Sequence, residues 1–424
     1  MTSKRTSLLM LVIFLFFSTP ITMASGNQNL SPIPETSSAE GLSHYSTQYY
    51  ATYTVKFHYS LTHLGSLPRD YYFKYARLND RGPDSSLTEY TPEYQESELK
   101  SMVITDNYNS LDKGVHDEYD NTFDEIDARL SRGEQLNMTY QYEITVNQIN
   151  FDTEIEDSEI GAYDESSDRH DLYCDVTEKY FEKNNADLIQ FSNQLSGDET
   201  NPVDIAQNVY NGVIEHLNYS VQKPERGALW AFTNQEGDCS EYSDLMITLL
   251  RIQGIPARKA TGLIMSQFGG YAPKEGDLTT FKYDSRTATN SFLGHAWVEY
   301  YVPSVGWISC DPTFGEEIDY FNKQDYMRFT NTIGAWFSVP EVDQKVSEFP
   351  YYPIFASTAQ SSEEYRYSYE ATITVKDSKM PPEEEEGSLL DQIPSYPLVI
   401  FNISILGTCF GLILVLRKKI SMKN

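Results

Sequence analysis

The stretch NQEGDCSEYSDLMITLLRIQGIPAR, residues 234–258, decides how the chain folds. Its apolar residues Tyr242, Leu245, Met246, Leu249 and Leu250 recur at i, i+3, i+4, i+7 and i+8, the spacing of one helix stripe. Asp238 stands where an N-cap belongs, and Glu241 three residues later completes a capping box. Gly254 fits the C-terminal cap and Pro256 bars continuation. The pattern predicts a helix that opens at Cys239. A cysteine in that position faces unpaired amide N–H groups and the positive end of the helix dipole, which favour a thiolate. Asp238 opposes this if its carboxylate lies near the sulfur, and a neighbouring imidazolium would have to outweigh it. On this stretch alone, a buried free cysteine packed as a small hydrophobe explains the residue equally well.

A second stretch, LGHAWVEYYVPSVGWISCDPTFG at 293–315, offers such an imidazole. His295, Trp297, Glu299 and Tyr301 alternate with Ala296, Val298 and Tyr300. Residues 303–306 form a turn and Trp307 to Cys310 returns, so the pattern predicts a β-hairpin. Folding about 303–305 brings Asp311 within a few positions of His295, on strands about 5 Å apart. The turn type leaves the register open. A helix-opening Cys, a strand His and a strand Asp are the inventory of a nucleophile, its base and the group that orients the base.

The segments GDCSEYSDLMITLLRIQGIPARKATGL, GHAWVEYYV and GWISCDPTFG resemble the three core motifs of the transglutaminase-like superfamily in order, spacing and surroundings. The resemblance covers roughly residues 165–335 and implies an α+β, papain-like catalytic core. It implies acyl transfer through a thioester on a protein or peptide substrate, with Cys239 as nucleophile, His295 as base and Asp311 as its orienting carboxylate. No cofactor is implied. The Cys239 amide is a natural oxyanion donor at the helix start. Tyr219, and after it Trp230, are the candidates for a side-chain donor, with plain packing as the alternative for both. Trp297 and Trp307 are candidates for the cleft wall, with plain core packing as the alternative for both and the first reading for Trp307. The family holds transglutaminases, cysteine proteases, peptide glycanases and inactive relatives. Its calcium-dependent crosslinking members carry additional C-terminal β-domains, whereas here one clear strand follows the core. A protease or amidase is therefore expected first and a crosslinking transglutaminase next. The rival is a noncatalytic surface binding module, whose expected signature is loss of the Cys, His or Asp. Serine hydrolases and metalloproteases lack their motifs here, since neither G-x-S-x-G nor H-E-x-x-H occurs.

The two ends of the chain frame this core. Lys4 and Arg5 precede an apolar run from Leu8 to Phe17, and Thr22 and Ala24 follow, which reads as a signal peptide over 1–24. Leu398 to Leu416 is uncharged and mostly apolar, and Arg417, Lys418 and Lys419 follow at once. That pattern predicts a transmembrane helix at 397–416 and a cytoplasmic tail at 417–424, with the ectodomain outside the cell membrane. The chain has 62 acidic and 32 basic residues, and all the acids lie between the two apolar segments. The excess argues against nucleic-acid binding and against docking on anionic lipid.

Between the ends, residues 25–45 read as a flexible lead-in. Tyr49, Ala51, Tyr53, Val55, Phe57, Tyr59 and Leu61 share one face of a strand, and Tyr140, Tyr142, Ile144 and Val146 repeat the pattern. Residues 46–160 are read as an antiparallel β-sandwich-like domain. The acidic stretch 106–127 lacks EF-hand spacing and is read as a solvated loop. NPVDIAQNVYNGVIEHLNYS, 201–220, places Ile205, Val209, Val213, Ile214 and Leu217 on one helix stripe. A C-terminal extension over 336–378 contains the strand YRYSYEATITVKD, which could join either sheet, and 379–396 is read as an acidic stalk. The cysteines are Cys174, Cys239, Cys310 and Cys409, without CxxC, so no metal site is expected. A Cys174–Cys310 disulfide stays open.

Overall fold

The computed structural model describes residues 44–82, 92–119, 121–175, 179–222, 224–265, 272–287, 294–315, 318–334, 337–339, 344–346 and 354–381. The principal elements, in chain order, begin with strands β1 (Tyr50–His63), β2 (Arg69–Ala76), β3 (Gln95–Ile104), β4 (Ser110–His116), β5 (Thr122–Leu130) and β6 (Gln135–Asn147). Helices α1 (Ala186–Ser196), α2 (Pro202–His216), α3 (Ala228–Asn234) and α4 (Cys239–Ile252) follow. The chain then returns to strands β7 (Ala257–Ile264), β8 (Leu278–Asp284), β9 (Gly294–Val302), β10 (Gly306–Cys310), β11 (Arg328–Ile333), β12 (Ile354–Ser357) and β13 (Tyr365–Lys379).

Alternation builds the first sheet. Every second residue of β1, from Ala51 to Leu61, is buried, and β1 is paired along its length by β6 on one side and β13 on the other. The sheet order is β8-β13-β1-β6-β3. A second antiparallel sheet, β12-β2-β5-β4, sends Tyr71, Phe73, Ile126, Ala128 and Leu130 into the same hydrophobic cluster as β1, β6 and β13. Strand β13 takes its place beside β1, and β8, from inside the stretch read as catalytic, pairs with it. The first sheet thus draws on three separated parts of the chain.

One expectation is corrected here. The acidic stretch 106–127 is not a solvated loop, because β4 and the start of β5 lie in it. Ile126, Ala128 and Leu130 point inward while Glu125, Asp127 and Arg129 point outward, so the acids are the wet face of a strand. Asp124 is fully buried and pairs with Arg77 at 2.6 Å.

The third sheet, β10-β9-β7-β11, carries α4 on one face. The stripe at 242–250 predicts one buried side, but helices α1, α2 and α3 cover what the sheet leaves open. Glu241, Ser243, Asp244 and Thr248 are therefore buried too. At the edge strand β11, side-chain amides stand in for a further strand. Gln95 both accepts from Thr330 N (2.8 Å) and donates to Thr330 O (2.9 Å). Asn121 does the same at Ile333 (2.8 and 2.7 Å), and Arg81 donates to Asn331 O. Buried backbone groups that would otherwise be orphaned are satisfied this way.

Cys174 and Cys310 are free and buried. Their sulfurs meet Arg251 O at 3.6 Å and Met246 Sδ at 3.8 Å respectively, so the open pairing is two separate thiols. Among the described residues no helix is long and apolar enough to cross a membrane. The expected signal peptide at 1–24, most of the lead-in and stalk, the span at 397–416 and the tail at 417–424 lie outside the described residues.

Candidate active site

The start of α4 is built from the capping residues. The Asp238 carboxylate accepts from Ser240 N at 3.1 Å, and Glu241 accepts from Asp238 N at 3.0 Å, closing the capping box. Gly237 is required, since a Cβ there would lie 2.3 Å from the Glu241 Cβ. Cys239 is thereby the first helical residue, and it is 8% exposed.

The hairpin pairs Val298 with Cys310 and Tyr301 with Trp307. Asp311 falls one step past the ladder, opposite Trp297 and on the face of His295. His295 Nε2 and Asp311 Oδ2 are 2.6 Å apart, and both side chains are buried. Because α4 packs on β9, the Ala296 amide next to His295 is directed at the Cys239 sulfur. Helix, strand and returning strand thus bring Cys239, His295 and Asp311 to one place.

The charges around them are uneven. Burial works against the Asp311 carboxylate, but His295 and Arg328 outweigh it and hold its pKa well below the ordinary range. Arg328, from β11, donates to Asp311 Oδ2 at 2.8 Å and also pairs with Asp325. The sequence reading missed Arg328, because nothing near it marks a contact seventeen positions away on another strand. Cys239 is displaced the other way. Burial raises its pKa well above that of a free thiol and the Asp238 carboxylate adds to this, against the Ala296 amide. The expectation that the helix start favours thiolate is therefore overridden by desolvation.

Glu241, enclosed beside Asp238, is pushed up to about 7 by burial and by the Asp238 charge. Its carboxylate also accepts from Arg226 N at 2.7 Å. Next to this lies a buried ion cluster that the sequence reading also missed. Lys259 on β7 meets Asp244 of α4 at 2.9 Å and Glu225 at 2.5 Å. Gln222, Arg226 and Glu225 are thus tied to Asp238, Glu241 and Lys259 respectively. A lysine and an aspartate inside apolar runs were the available signal.

The remaining candidates fare differently. Tyr219 pairs in parallel with Gly237, two residues from Cys239. The residue is 59% exposed, and its hydroxyl pKa is raised by burial and then by the Cys239 and Asp238 charges. Trp230 stands half-buried on α3 under Arg226, 5.7 Å from guanidinium to ring centroid. Trp297, a candidate for the cleft wall or for plain packing, lies in the interior. It is fully buried, 6.0 Å from the His295 ring centroid, and its Nε1 has no partner among the described residues. Strand alternation puts it on the His295 face of β9. Trp307 is buried against Arg258, 3.8 Å from guanidinium to ring centroid.

A helix-opening cysteine over a sheet that presents a hydrogen-bonded His–Asp pair has the parts that nucleophilic thiol chemistry needs. Residues 189–312 match the family model for the transglutaminase-like superfamily, and the three residues lie within that segment. Over it the chain carries a transglutaminase-like α+β core. The protein-glutamine gamma-glutamyltransferase of Pseudomonas aeruginosa PAO1 is 35% identical over 104 residues, 24% of this chain and 14% of that protein. The uncharacterized protein YebA of Bacillus subtilis strain 168 is 36% identical over 84 residues, 20% of this chain and 10% of that protein. The matched stretches thus span less than a fifth of these relatives. Among solved structures, a protein of Cytophaga hutchinsonii proposed to be a cysteine protease is similar with a TM-score of 0.48. It is 13% identical, over 81% of this chain and 96% of that chain.

Proposed function

We propose that Cys239, His295 and Asp311 form the catalytic triad of a thiol enzyme that acts on peptide or carboxamide bonds of protein substrates. The observation that carries this reading is the buried 2.6 Å contact from His295 Nε2 to Asp311 Oδ2, on the strand whose next amide faces the Cys239 sulfur.

The displaced electrostatics suit a stepwise use of the proton. In the resting site burial keeps it on sulfur. As substrate docks, His295 accepts the proton and the sulfur attacks the carbonyl carbon. Asp311, held ionised by Arg328, stabilises the imidazolium and fixes the tautomer that exposes the other ring nitrogen. The Cys239 amide and the Tyr219 hydroxyl are the proposed donors to the oxyanion. Collapse breaks the C–N bond, His295 returns its proton to the departing amine, and a thioester stays on Cys239. An acceptor then loses a proton to His295, attacks the thioester and releases the thiol.

We put water first as the acceptor, giving a protease or amidase. Among the described residues beyond the core, β12 joins the sheet of β2 and β13 joins the sheet of β1. Transfer to an amine is the second reading, favoured by the 35% identity to a protein-glutamine gamma-glutamyltransferase. We read the two-sheet unit, which takes β8, β12 and β13 from later in the chain, as β-sandwich-like. The apolar segments at 8–17 and 398–416 support a secreted ectodomain anchored by its C-terminal helix. A noncatalytic binding module is the alternative class. Incubation with casein and a labelled primary amine separates these readings. Fragments or released ammonia without label support hydrolysis, label without fragments supports transfer, and none of these, with intact fold, supports the binding module.

A further inference from the structure

We propose that His170, Cys174 and Asp175 form a binding site for a divalent transition-metal ion of the zinc type, apart from the triad and independent of the catalytic reading. The three donor atoms lie within 4.8 Å of one another. Nitrogen, sulfur and carboxylate oxygen are the donor set zinc takes, and a tetrahedral ion at its usual bond lengths needs donors roughly 3.3–3.8 Å apart. Rotamer adjustment of about an ångström therefore closes the site. No zinc motif marks these residues in the sequence, since they come from one helical turn.

The backbone explains why they converge. Ser167 caps the short helix Asp168–His170, which runs on into a π-helical turn over Asp171–Asp175. In an α-helix position i+4 stacks near i while i+5 turns away. A π turn closes on i+5 instead, so Cys174 and Asp175 both stand beside His170. Such turns are rare and recur at functional sites. His170 and Cys174 are buried and Asp175 sits at the rim, which leaves a fourth position for water.

The neighbours fit. Asp175 Oδ2 faces His170 Nδ1 at 3.3 Å, and Oδ1 faces Lys183 Nζ at 3.6 Å. Lys183 also donates to the Cys174 carbonyl and so steadies the turn without occupying Oδ2. The Cys174 sulfur lies 3.6 Å from Arg251 O, at the far end of α4 from Cys239, about 20 Å away at 1.5 Å per residue. A bound ion would tie the entry of the core to the end of the nucleophile helix.

The test is a Co2+ titration of the full chain carrying Cys239→Ala, which removes the thiol of the proposed triad. One Co2+ per chain with a thiolate-to-cobalt charge-transfer band, displaced by Zn2+ and absent in Cys174→Ser, is expected. His170→Gln and the rim variant Asp175→Asn should each weaken binding at least tenfold, with the circular dichroism unchanged. No band, or a band that survives Cys174→Ser, overturns the proposal. If Cys174→Ser fails to fold, Asp175→Asn decides: unchanged affinity there overturns it as well.

Discussion

At Cys239 the helix start and the Ala296 amide favour the thiolate, while burial and Asp238 oppose it, and the opposition wins. Asp238→Asn keeps an N-cap but removes the nearest negative charge. The midpoint of iodoacetamide alkylation at Cys239 should then move to lower pH, and an unmoved midpoint would show that Asp238 does not set the thiol. Arg328 gives a second residue-scale prediction. The Asp311 pKa in the fold lies below its unfolded value of about 3.9, so this contact contributes stability above that pH and loses it as pH falls. Arg328→Met should cost about 3–5 kcal/mol at neutral pH. The gap in melting temperature to the wild type should narrow below about pH 4. A gap equal at all pH values would contradict the role given to Arg328. Cys239, His295 and Asp311 were readable because caps and hairpins are local. Arg328 and the Lys259–Asp244–Glu225 cluster were not, because each joins elements that the sequence does not pair.

Among the elements, β11 depends on side chains from elsewhere. Gln95→Ala would leave the amide and carbonyl of Thr330 unpaired in the interior. The expected loss is on the order of 3 kcal/mol, read as a lower denaturant midpoint with unchanged slope. A variant as stable as wild type would mean that water replaces the amide. Since β11 carries Arg328, the same variant should also lower turnover. The hairpin β9–β10 follows from its alternation and turn residues. The strands β4 and β5 were hidden, because the acids at 124, 125 and 127 look like loop until their partners supply the buried face.

For the whole molecule, β13 is the strand that the chain returns to place between β1 and β8. A chain ended after residue 381 should unfold cooperatively, and one ended after 361 should lose that transition, as followed by circular dichroism. Equal transitions would mean that β13 is dispensable. Its own alternation was plain in the sequence, yet which sheet it joins was not, since an apolar face does not name its partner. The same holds for β8, which lies inside the transglutaminase-like segment but pairs outside the core sheet.

The central claim is a thioester on Cys239. It is tested most directly by acid-quenching the enzyme during turnover of a glutamine-containing protein and reading the Cys239 peptide by mass. The account predicts an acyl adduct that hydroxylamine removes, absent in Cys239→Ala, with turnover in Asp311→Asn lower by roughly four orders of magnitude. Turnover that persists in Cys239→Ala would contradict it.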